Sequence, residues 1–317
     1  MKHHYVSSLM FAALAVAASS PGKTEHQQPQ RGGHPRLNSK SDHGTVGSDV
    51  ADLLRSDSHN VGKEGPRRND VEVDSSKESQ VPGHLAYVPW DIENVPESGL
   101  KDIIFPMSMR DSIHQEGWYF AQDFFFGGTP GALAYIGLQP RRDNTSGPVI
   151  HAAFSSFAKG TKANDPNCKD GADGGPGVSC AVDIIGDYTH LHDLKVNNTG
   201  GTTWSGTLID TLTKHETHIG SWTLPAHNTG LKGPWVGFVE WWPFNNPGGK
   251  DPACHQLNKT SVLFGIPRTS SSGAGPGNLG DAYEVSKCKG KQNFHSRRVG
   301  DSVEVTVGFN KLALEGH

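Results

Sequence analysis

Short runs of aromatic and β-branched residues, each bounded by Gly, Pro, Asn or Asp, recur from about residue 84 to residue 317. Val303, Val305 and Val307 alternate with Glu304 and Thr306, which is the period-two pattern of a strand with one buried and one wet face. The same criteria predict strands at 117–126, 133–139, 148–155, 178–182, 188–196, 203–210, 215–223, 235–242, 261–264 and 302–309. Many short strands with few helices favour an all-β fold, a single β-sandwich of jelly-roll-like, concanavalin-type architecture spanning 81–317.

The first 80 residues follow a different pattern. Residues 1–18 combine a short cationic lead with an apolar run over 6–18 that ends in small residues, which predicts a signal peptide and a secreted, extracellular protein. This run is too short to cross a hydrocarbon core of about 30 Å at about 1.5 Å per residue. Residues 19–80 are polar and contain no aromatic residue, so we expect a disordered spacer, whose role as linker, pro-segment or leader stays open.

Composition and charge exclude two classes of partner. The 39 Gly and 20 Pro indicate a turn-rich protein, and a formal net charge of −4 leaves no basic surface of the kind that nucleic acid requires. Because no later segment is as apolar as residues 6–18, we expect no membrane partner either.

Four cysteines are present, Cys168, Cys180, Cys254 and Cys288, and in an oxidising compartment an even number predicts disulfides. Three pairings are possible, and proximity in the chain favours Cys168–Cys180 and Cys254–Cys288. The spacing lacks the short Cys pairs of a zinc site. Three N-glycosylation sequons lie in polar stretches, at Asn144, Asn197 and Asn258.

Seven segments, in this order and spacing, resemble the secreted bacterial and eukaryotic family known as domain of unknown function 3472. They are 117–126, 134–139, 151–156, 174–180, 204–210, 216–222 and 239–242. The resemblance covers about 115–267 and implies an extracellular β-sandwich, often regarded as sugar-directed, without catalytic residues that can be transferred. The long polar leader and the stretch after about 268 depart from the family pattern.

A glycan-binding face is the first functional hypothesis. Indole rings stack on the C–H faces of sugars, and neighbouring carboxylates bind hydroxyl groups. We therefore predict ligand-binding residues in the 204–244 region, namely Trp204, Asp210, Glu216, Glu240 and Trp242. Within this region a strand sends Trp241 and Trp242 to opposite faces, so that one packs in the core and Glu240 shares a face with Trp242.

Catalysis on a polysaccharide is the alternative. A glycosidase needs two carboxyl groups, and the candidates in or beside predicted strands are Asp123, Asp183, Asp210, Glu216 and Glu240. A lyase uses other side chains, and the residues of suitable type are Gln139, His151, Tyr188 and His190. No motif of a serine hydrolase, P-loop enzyme or dinucleotide-binding protein is present, and the glycine-rich 273–280 stretch is predicted to be a loop.

Metal sites have weaker support. The pairs His190/His192 and His215/His218 could ligate a metal, but surface histidines explain them better in a chain with 17 His. The acidic loop 164–174 could surround calcium, yet its spacing does not match an EF-hand, and a disulfide-pinned turn is favoured. We predict no cofactor other than this possible calcium.

The sequence thus favours a secreted, carbohydrate-directed, lectin-like protein that binds a glycan or cell-wall polysaccharide. The alternatives are a polysaccharide-degrading lyase or glycosidase and a secreted effector that binds a host protein. Acidic and histidine side chains gathered with Trp242 would favour an enzyme, whereas a flat aromatic patch would favour a binding protein. The ligand and the oligomeric state stay open.

Overall fold

The computed structural model describes residues 81–128, 132–246 and 252–310, so the predicted signal peptide and spacer lie outside the described residues. Two short 3₁₀ turns, Trp242–Asn245 and Cys254–Gln256, are the helical segments in these ranges. The strands are β1 His84–Ile92, β2 Asp102–Ser108, β3 Trp118–Phe126, β4 Leu133–Pro140, β5 Val149–Ser156, β6 Lys162–Ala163, β7 Cys168–Ala172, β8 Gly175–Ile185, β9 His192–Gly200, β10 Thr203–Asp210, β11 Glu216–Thr223, β12 Leu231–Lys232, β13 Trp235–Trp241, β14 Thr260–Phe264, β15 Gly277–Leu279, β16 Tyr283–Glu284, β17 His295–Val299 and β18 Ser302–Val307.

The strands form two antiparallel sheets. Sheet I has the order β15-β1-β13-β3-β4-β5-β8-β7, with β12 paired to β3 and β16 paired to β1. Sheet II has the order β17-β18-β14-β2-β9-β10-β11-β6. The predicted all-β sandwich is therefore confirmed.

Aromatic side chains from both sheets meet in the main core. Phe105 of sheet II lies 5.1 Å from Trp90 of sheet I, measured between ring centroids. The ring of Phe154 in sheet I stacks on Trp222 in sheet II at 4.5 Å. Burial of such large apolar surfaces is the dominant force that holds two sheets together.

Both disulfides favoured by proximity are present. Cys168–Cys180 joins the paired strands β7 and β8, and Cys254–Cys288 joins the second 3₁₀ turn to the segment after β16. Two disulfides favour an extracellular location, because cytosolic thiols are kept reduced. Among the described residues, no helix has the length and apolar character needed to cross a membrane.

All ten predicted strands occur, although the one expected at 188–196 begins only at His192 and the one at 178–182 extends over β8. The alternating burial of Val303, Val305 and Val307 is also confirmed. Strands β1 and β2 were not predicted, because they contain Pro89 and Pro106, and a proline argues against a strand interior since it lacks an N–H donor. The loop prediction for 273–280 is wrong at its end, where β15 pairs with β1.

Candidate functional site

The face of sheet I that points away from sheet II carries a row of polar side chains. Across paired strands, His84 lies opposite Glu240, and Glu240 lies opposite Tyr119. Phe120 pairs with Leu138, so in this antiparallel register the preceding Tyr119 lies opposite the following Gln139. Gln139 in turn lies opposite His151, and His151 lies opposite Asp183. Successive residues of a strand alternate between faces, so these side chains share the outer face.

A second polar row runs parallel to the first, four residues farther along β3. Asp123 pairs with Tyr135, and Tyr135 pairs with Ser155. Between the two rows the strands carry mostly small side chains: Ala121, Gly137, Ala153 and Ala181. The apolar side chains of this face form a cluster separate from the main core, which includes Phe157 and Ala172. The polar side chains of both rows are buried except that of Asp183, which is exposed.

Glu240 is the central acid of the first row and is only 3 % exposed. The side-chain N–H of Asn245 donates to Oε1 of Glu240 at 2.5 Å. The side-chain Oδ1 of Asn245 accepts a hydrogen bond from the Gly83 backbone N–H at 2.7 Å. Burial, aided by the charge of Asp173, raises the pKa of Glu240 to about 8 even though the Asn245 hydrogen bond opposes this. Glu240 therefore holds a proton at neutral pH.

His84 adjoins this acid and is fully buried. Its Nδ1 lies 2.8 Å from the Tyr87 hydroxyl, and its ring stacks on Phe238 with 4.3 Å between centroids. Burial lowers the pKa of His84 to about 3. The Nε2 atom lies 3.9 Å from Oε1 of Glu240, and because the two pKa values move apart, the pair is a neutral imidazole beside a neutral acid, not an ion pair.

Two more carboxyl groups contribute to the same electrostatic cluster. Burial, and then the charge of Glu240, raises the pKa of Asp123 well above its usual range. Burial raises the pKa of Asp173 to about 7, and the Tyr135 hydroxyl donates to Asp173 with oxygen distances of 3.4 Å. Burial likewise raises the pKa values of Tyr119 and Tyr135. Perturbed groups gathered in this way are typical of functional sites.

Besides Nε2 of His84, polar atoms of two further side chains in the first row have no hydrogen-bond partner among the described residues. These are the Tyr119 hydroxyl and both amide atoms of Gln139, which is fully buried. A buried polar group without a hydrogen bond costs about 1–3 kcal/mol. Such atoms in a cluster of acids indicate a place for a ligand or for water.

The far end of the first row is more open and carries charge. His151 Nδ1 lies 2.7 Å from Asp183 Oδ1, and this hydrogen bond lowers the pKa of Asp183. Burial lowers the pKa of His151, although the hydrogen bond with Asp183 opposes this. Arg141 is close enough to influence the pKa values of both residues.

The five predicted ligand-binding residues do not form one site. Glu240 and Trp242 lie on the outer side of sheet I, and Trp241 faces the main core, as the strand alternation predicted. Trp204 is 1 % exposed in the core between the sheets, so it cannot stack on a sugar. Asp210 and Glu216 lie in sheet II, where Asp210 Oδ2 is 2.7 Å from His190 Nδ1 and Glu216 is exposed.

An aromatic platform has little basis in the described ranges. The large apolar residues that they expose are Ile185, Leu191, Leu212 and Val299, none of which is aromatic. The tryptophans instead fill the cores or are half-buried, because their area contributes most where two layers meet.

The residues considered for metal binding lie in separate places. His190 contacts Asp210, His192 is buried, and His218 contacts Asp165 at 2.5 Å. Of the acidic loop, Asp165 thus faces His218 whereas Asp173 contacts Tyr135, so the loop carboxyls diverge. Within the described part of the chain, no group of three or more His, Cys, Asp or Glu side chains could hold a metal ion.

Of the nine residues that the enzyme hypothesis named, the structure brings five to the outer face of sheet I: Asp123, Asp183, Glu240, Gln139 and His151. Tyr188 instead donates to the Val149 carbonyl at 2.6 Å. Sequence reasoning missed His84 and did not assign Tyr119 or Asp173 to this site, since it considered Asp173 only in the acidic loop. Strand alternation places Tyr119 on the face of Asp123, but nothing local links either residue to His84.

Comparisons with known proteins add the following. No family model matches the chain, and no curated protein matches it, so the resemblance to domain of unknown function 3472 stays a prediction. Among solved structures, Scytalido-glutamic peptidase with a peptide-based transition-state analog is similar at 12 % identity and a TM-score of 0.39, covering 70 % of this chain and 97 % of that chain. SCP-B, a member of the Eqolisin family of peptidases in complex with the tripeptide Ala-Ile-His, is similar at 11 % identity and a TM-score of 0.37, with the same coverage. No residue role is transferred from these structures.

Proposed function

We propose that this protein is a secreted hydrolase that cleaves peptide bonds by acid–base chemistry at Glu240 and His84. The observation that carries the proposal is the neutral pair itself, a buried carboxylic acid 3.9 Å from a buried uncharged imidazole. Two adjacent groups whose pKa values are shifted in opposite directions are typical of the acid and the base of an active site.

The charge state of the outer face favours a carbonyl substrate. Burial raises the pKa values of Glu240, Asp123 and Asp173, so in mildly acidic solution this face offers neutral hydrogen-bond donors. An oxyanion is stabilised by such donors. A glycosidase, by contrast, needs an ionised carboxylate opposite a positively charged transition state. The Tyr119 hydroxyl, on the strand paired with that of Glu240, is a donor without a partner among the described residues.

A hydrolytic cycle can be written with these groups alone. In the tautomer whose Nδ1–H donates a hydrogen bond to the Tyr87 hydroxyl, Nε2 of His84 carries no proton and can accept one from water as the water oxygen bonds to the carbonyl carbon. The Tyr119 hydroxyl donates to the resulting oxyanion. Glu240 donates its proton to the leaving nitrogen, the C–N bond breaks, and the proton on His84 returns to Glu240.

One experiment distinguishes peptide hydrolysis from the cleavage of a polysaccharide. The full-length protein is incubated with a mixture of synthetic peptides between pH 4 and 6, and with soluble polysaccharides in parallel. Mass spectrometry measures new peptide termini, and a reducing-end assay measures glycosidic cleavage. We expect peptide cleavage that falls by about 10²–10⁴-fold in Glu240→Gln, which keeps the shape of the neutral acid.

Glu216→Gln is the matched control, because Glu216 is exposed in the other sheet and should leave the rate unchanged. Equal peptide cleavage by Glu240→Gln and the unchanged protein would contradict the proposal. Release of reducing ends without peptide cleavage would establish the carbohydrate alternative instead.

A further inference from the structure

We propose that Arg141 and Gln139 form a binding site for a carboxylate group of the substrate, on the same face of sheet I as the Glu240–His84 pair. The inference rests on the proposed function and adds a substrate class to it, namely peptides that carry a carboxylate near the bond that is cut.

Arg141 extends the outer face beyond the end of β4. Its backbone N–H donates to the Val149 carbonyl oxygen at 3.2 Å, which continues the ladder between β4 and β5. Residues two apart in a strand point to the same face, so Arg141 and Gln139 project together. The electrostatic influence of Arg141 on both His151 and Asp183 agrees with this position.

Both side chains have donors that the described residues leave without partners. Nη1 of Arg141 is buried and has no hydrogen-bond partner, and the same is true of the Gln139 amide nitrogen. A guanidinium offers its N–H groups in a planar fork that matches a carboxylate. A carboxylate at this place would satisfy both donors.

The acidic groups near Arg141 leave its Nη1 atom without a hydrogen bond, so an incoming anion can accept one. Burial lowers the pKa of Arg141, while Asp183 and Glu116 favour its charged form. Glu116 is exposed to solvent, and Asp183 already accepts a hydrogen bond from His151. Because a guanidinium stays protonated in proteins, the buried Nη1 keeps its need for an acceptor.

The strand register determines the distance between Glu240 and the proposed carboxylate site at Arg141. Glu240 and Gln139 are separated by two strand spacings of about 4.8 Å, and Arg141 lies two residues of about 3.4 Å farther along. The Cα atoms of Glu240 and Arg141 are then about 12 Å apart, a span that about three or four residues of extended peptide cover. The carboxylate should therefore lie within about four residues of the scissile bond.

Binding can be measured without cleavage in the Glu240→Gln variant of the full chain. The probes are C-terminally amidated nonapeptides with one Glu at successive positions and matched peptides with Gln instead. A second set lacks Glu and ends in a free carboxylate or an amide, which separates a side-chain carboxylate from a chain terminus. Affinities are measured at pH 6 by calorimetry, where the peptide carboxylates are ionised.

We expect a carboxylate at one position to strengthen binding by about 10- to 100-fold, the range of a charge-assisted hydrogen bond. Arg141→Gln in the same background should remove this preference, whereas Arg142→Gln, at the exposed neighbouring position, should retain it. Arg141→Lys keeps the charge without the fork and should retain a part. Circular dichroism checks that each variant is folded.

Equal binding of carboxylate and amide peptides, absence of binding to all of them, or a preference that survives in Arg141→Gln would overturn the site. The proposed hydrolysis is judged separately, by cleavage of the Gln peptides with the unchanged protein. A carboxylate preference without any cleavage would thus reject the hydrolase and retain the binding site.

Discussion

Glu240 and His84 lie opposite each other on paired strands, and the burial that raises the pKa of the acid to about 8 lowers the pKa of the imidazole to about 3. Neither group carries charge between these values. The low polarity around these buried side chains accounts for both shifts, because it penalises a carboxylate and an imidazolium alike. The pair therefore couples protein stability to pH in two opposite directions.

Stability should fall as the solution becomes alkaline. The folded-state pKa of Glu240 is raised, so its contribution to the free energy of unfolding is complete below its ordinary pKa of 4.5 and is lost as the pH rises through about 8. The expected slope from Glu240 alone is about 1.4 kcal/mol per pH unit, and Asp173 acts in the same direction. Denaturant unfolding at pH 6.5 and pH 8 measures this slope.

Glu240→Gln should flatten that slope, whereas Glu216→Gln should not. An unchanged slope in Glu240→Gln would show that the acid is ionised in the folded protein. His84 has the opposite sign, since its lowered pKa contributes stability above 6.5 that is lost as the pH falls through about 3. His84→Asn should accordingly weaken the loss of stability between pH 4.5 and pH 3.

Trp204 should act on stability rather than on ligand binding. It is buried against Phe126, with 4.7 Å between ring centroids. Trp204→Ala should lower the free energy of unfolding by about 3–5 kcal/mol, through lost burial and the cavity left behind. Trp242→Ala, at a half-buried position, should cost less than half as much. Similar losses for the two variants in denaturant unfolding would contradict this division.

Glycosylation should differ among the three sequons. Asn144 lies in an exposed turn, where its side-chain oxygen accepts from the Ser146 backbone N–H at 2.7 Å. The Asn258 amide nitrogen donates to Gln115 at 2.5 Å, and Thr260 of its sequon is buried with its hydroxyl bonded to Ser112. In a eukaryotic secretory host, peptide mapping should find a glycan on Asn144 and none on Asn258. Full occupancy of Asn258 would refute this expectation.

The two disulfides should contribute unequally. Cys168–Cys180 closes a separation of 12 residues, and Cys254–Cys288 closes one of 34. Removing either disulfide by paired Cys→Ser changes should lower the free energy of unfolding by about 2–4 kcal/mol. The loss should be about 1 kcal/mol larger for Cys254–Cys288, which closes the longer loop, because loop-closure entropy grows with the logarithm of loop length. Denaturant unfolding of the two double variants compares them, and a larger loss for Cys168–Cys180 would oppose the entropic account.

The local pattern was enough to predict ten of the strands from β3 onward, since alternating burial such as that of Val303, Val305 and Val307 depends only on the pleat of one strand. It also predicted that Trp241 and Trp242 point to opposite sides. The local pattern failed for β1 and β2, which contain Pro89 and Pro106. A proline has no N–H to donate to the neighbouring strand, and the sequence does not show whether that neighbour needs a donor at this position.

The candidate site was less accessible to sequence reasoning. By itself, the sequence determined the sheet class, favoured the pairing of neighbouring cysteines and named Asp123, Asp183 and Glu240 as acids that could serve chemistry, because each of these depends on residues close together in the chain. Only the tertiary structure decided that Glu240 meets His84 and Tyr119, while Asp210 and Glu216 lie in the other sheet. Strand order and register bring together residues that are far apart in the chain, and burial of the assembled face then sets their charge.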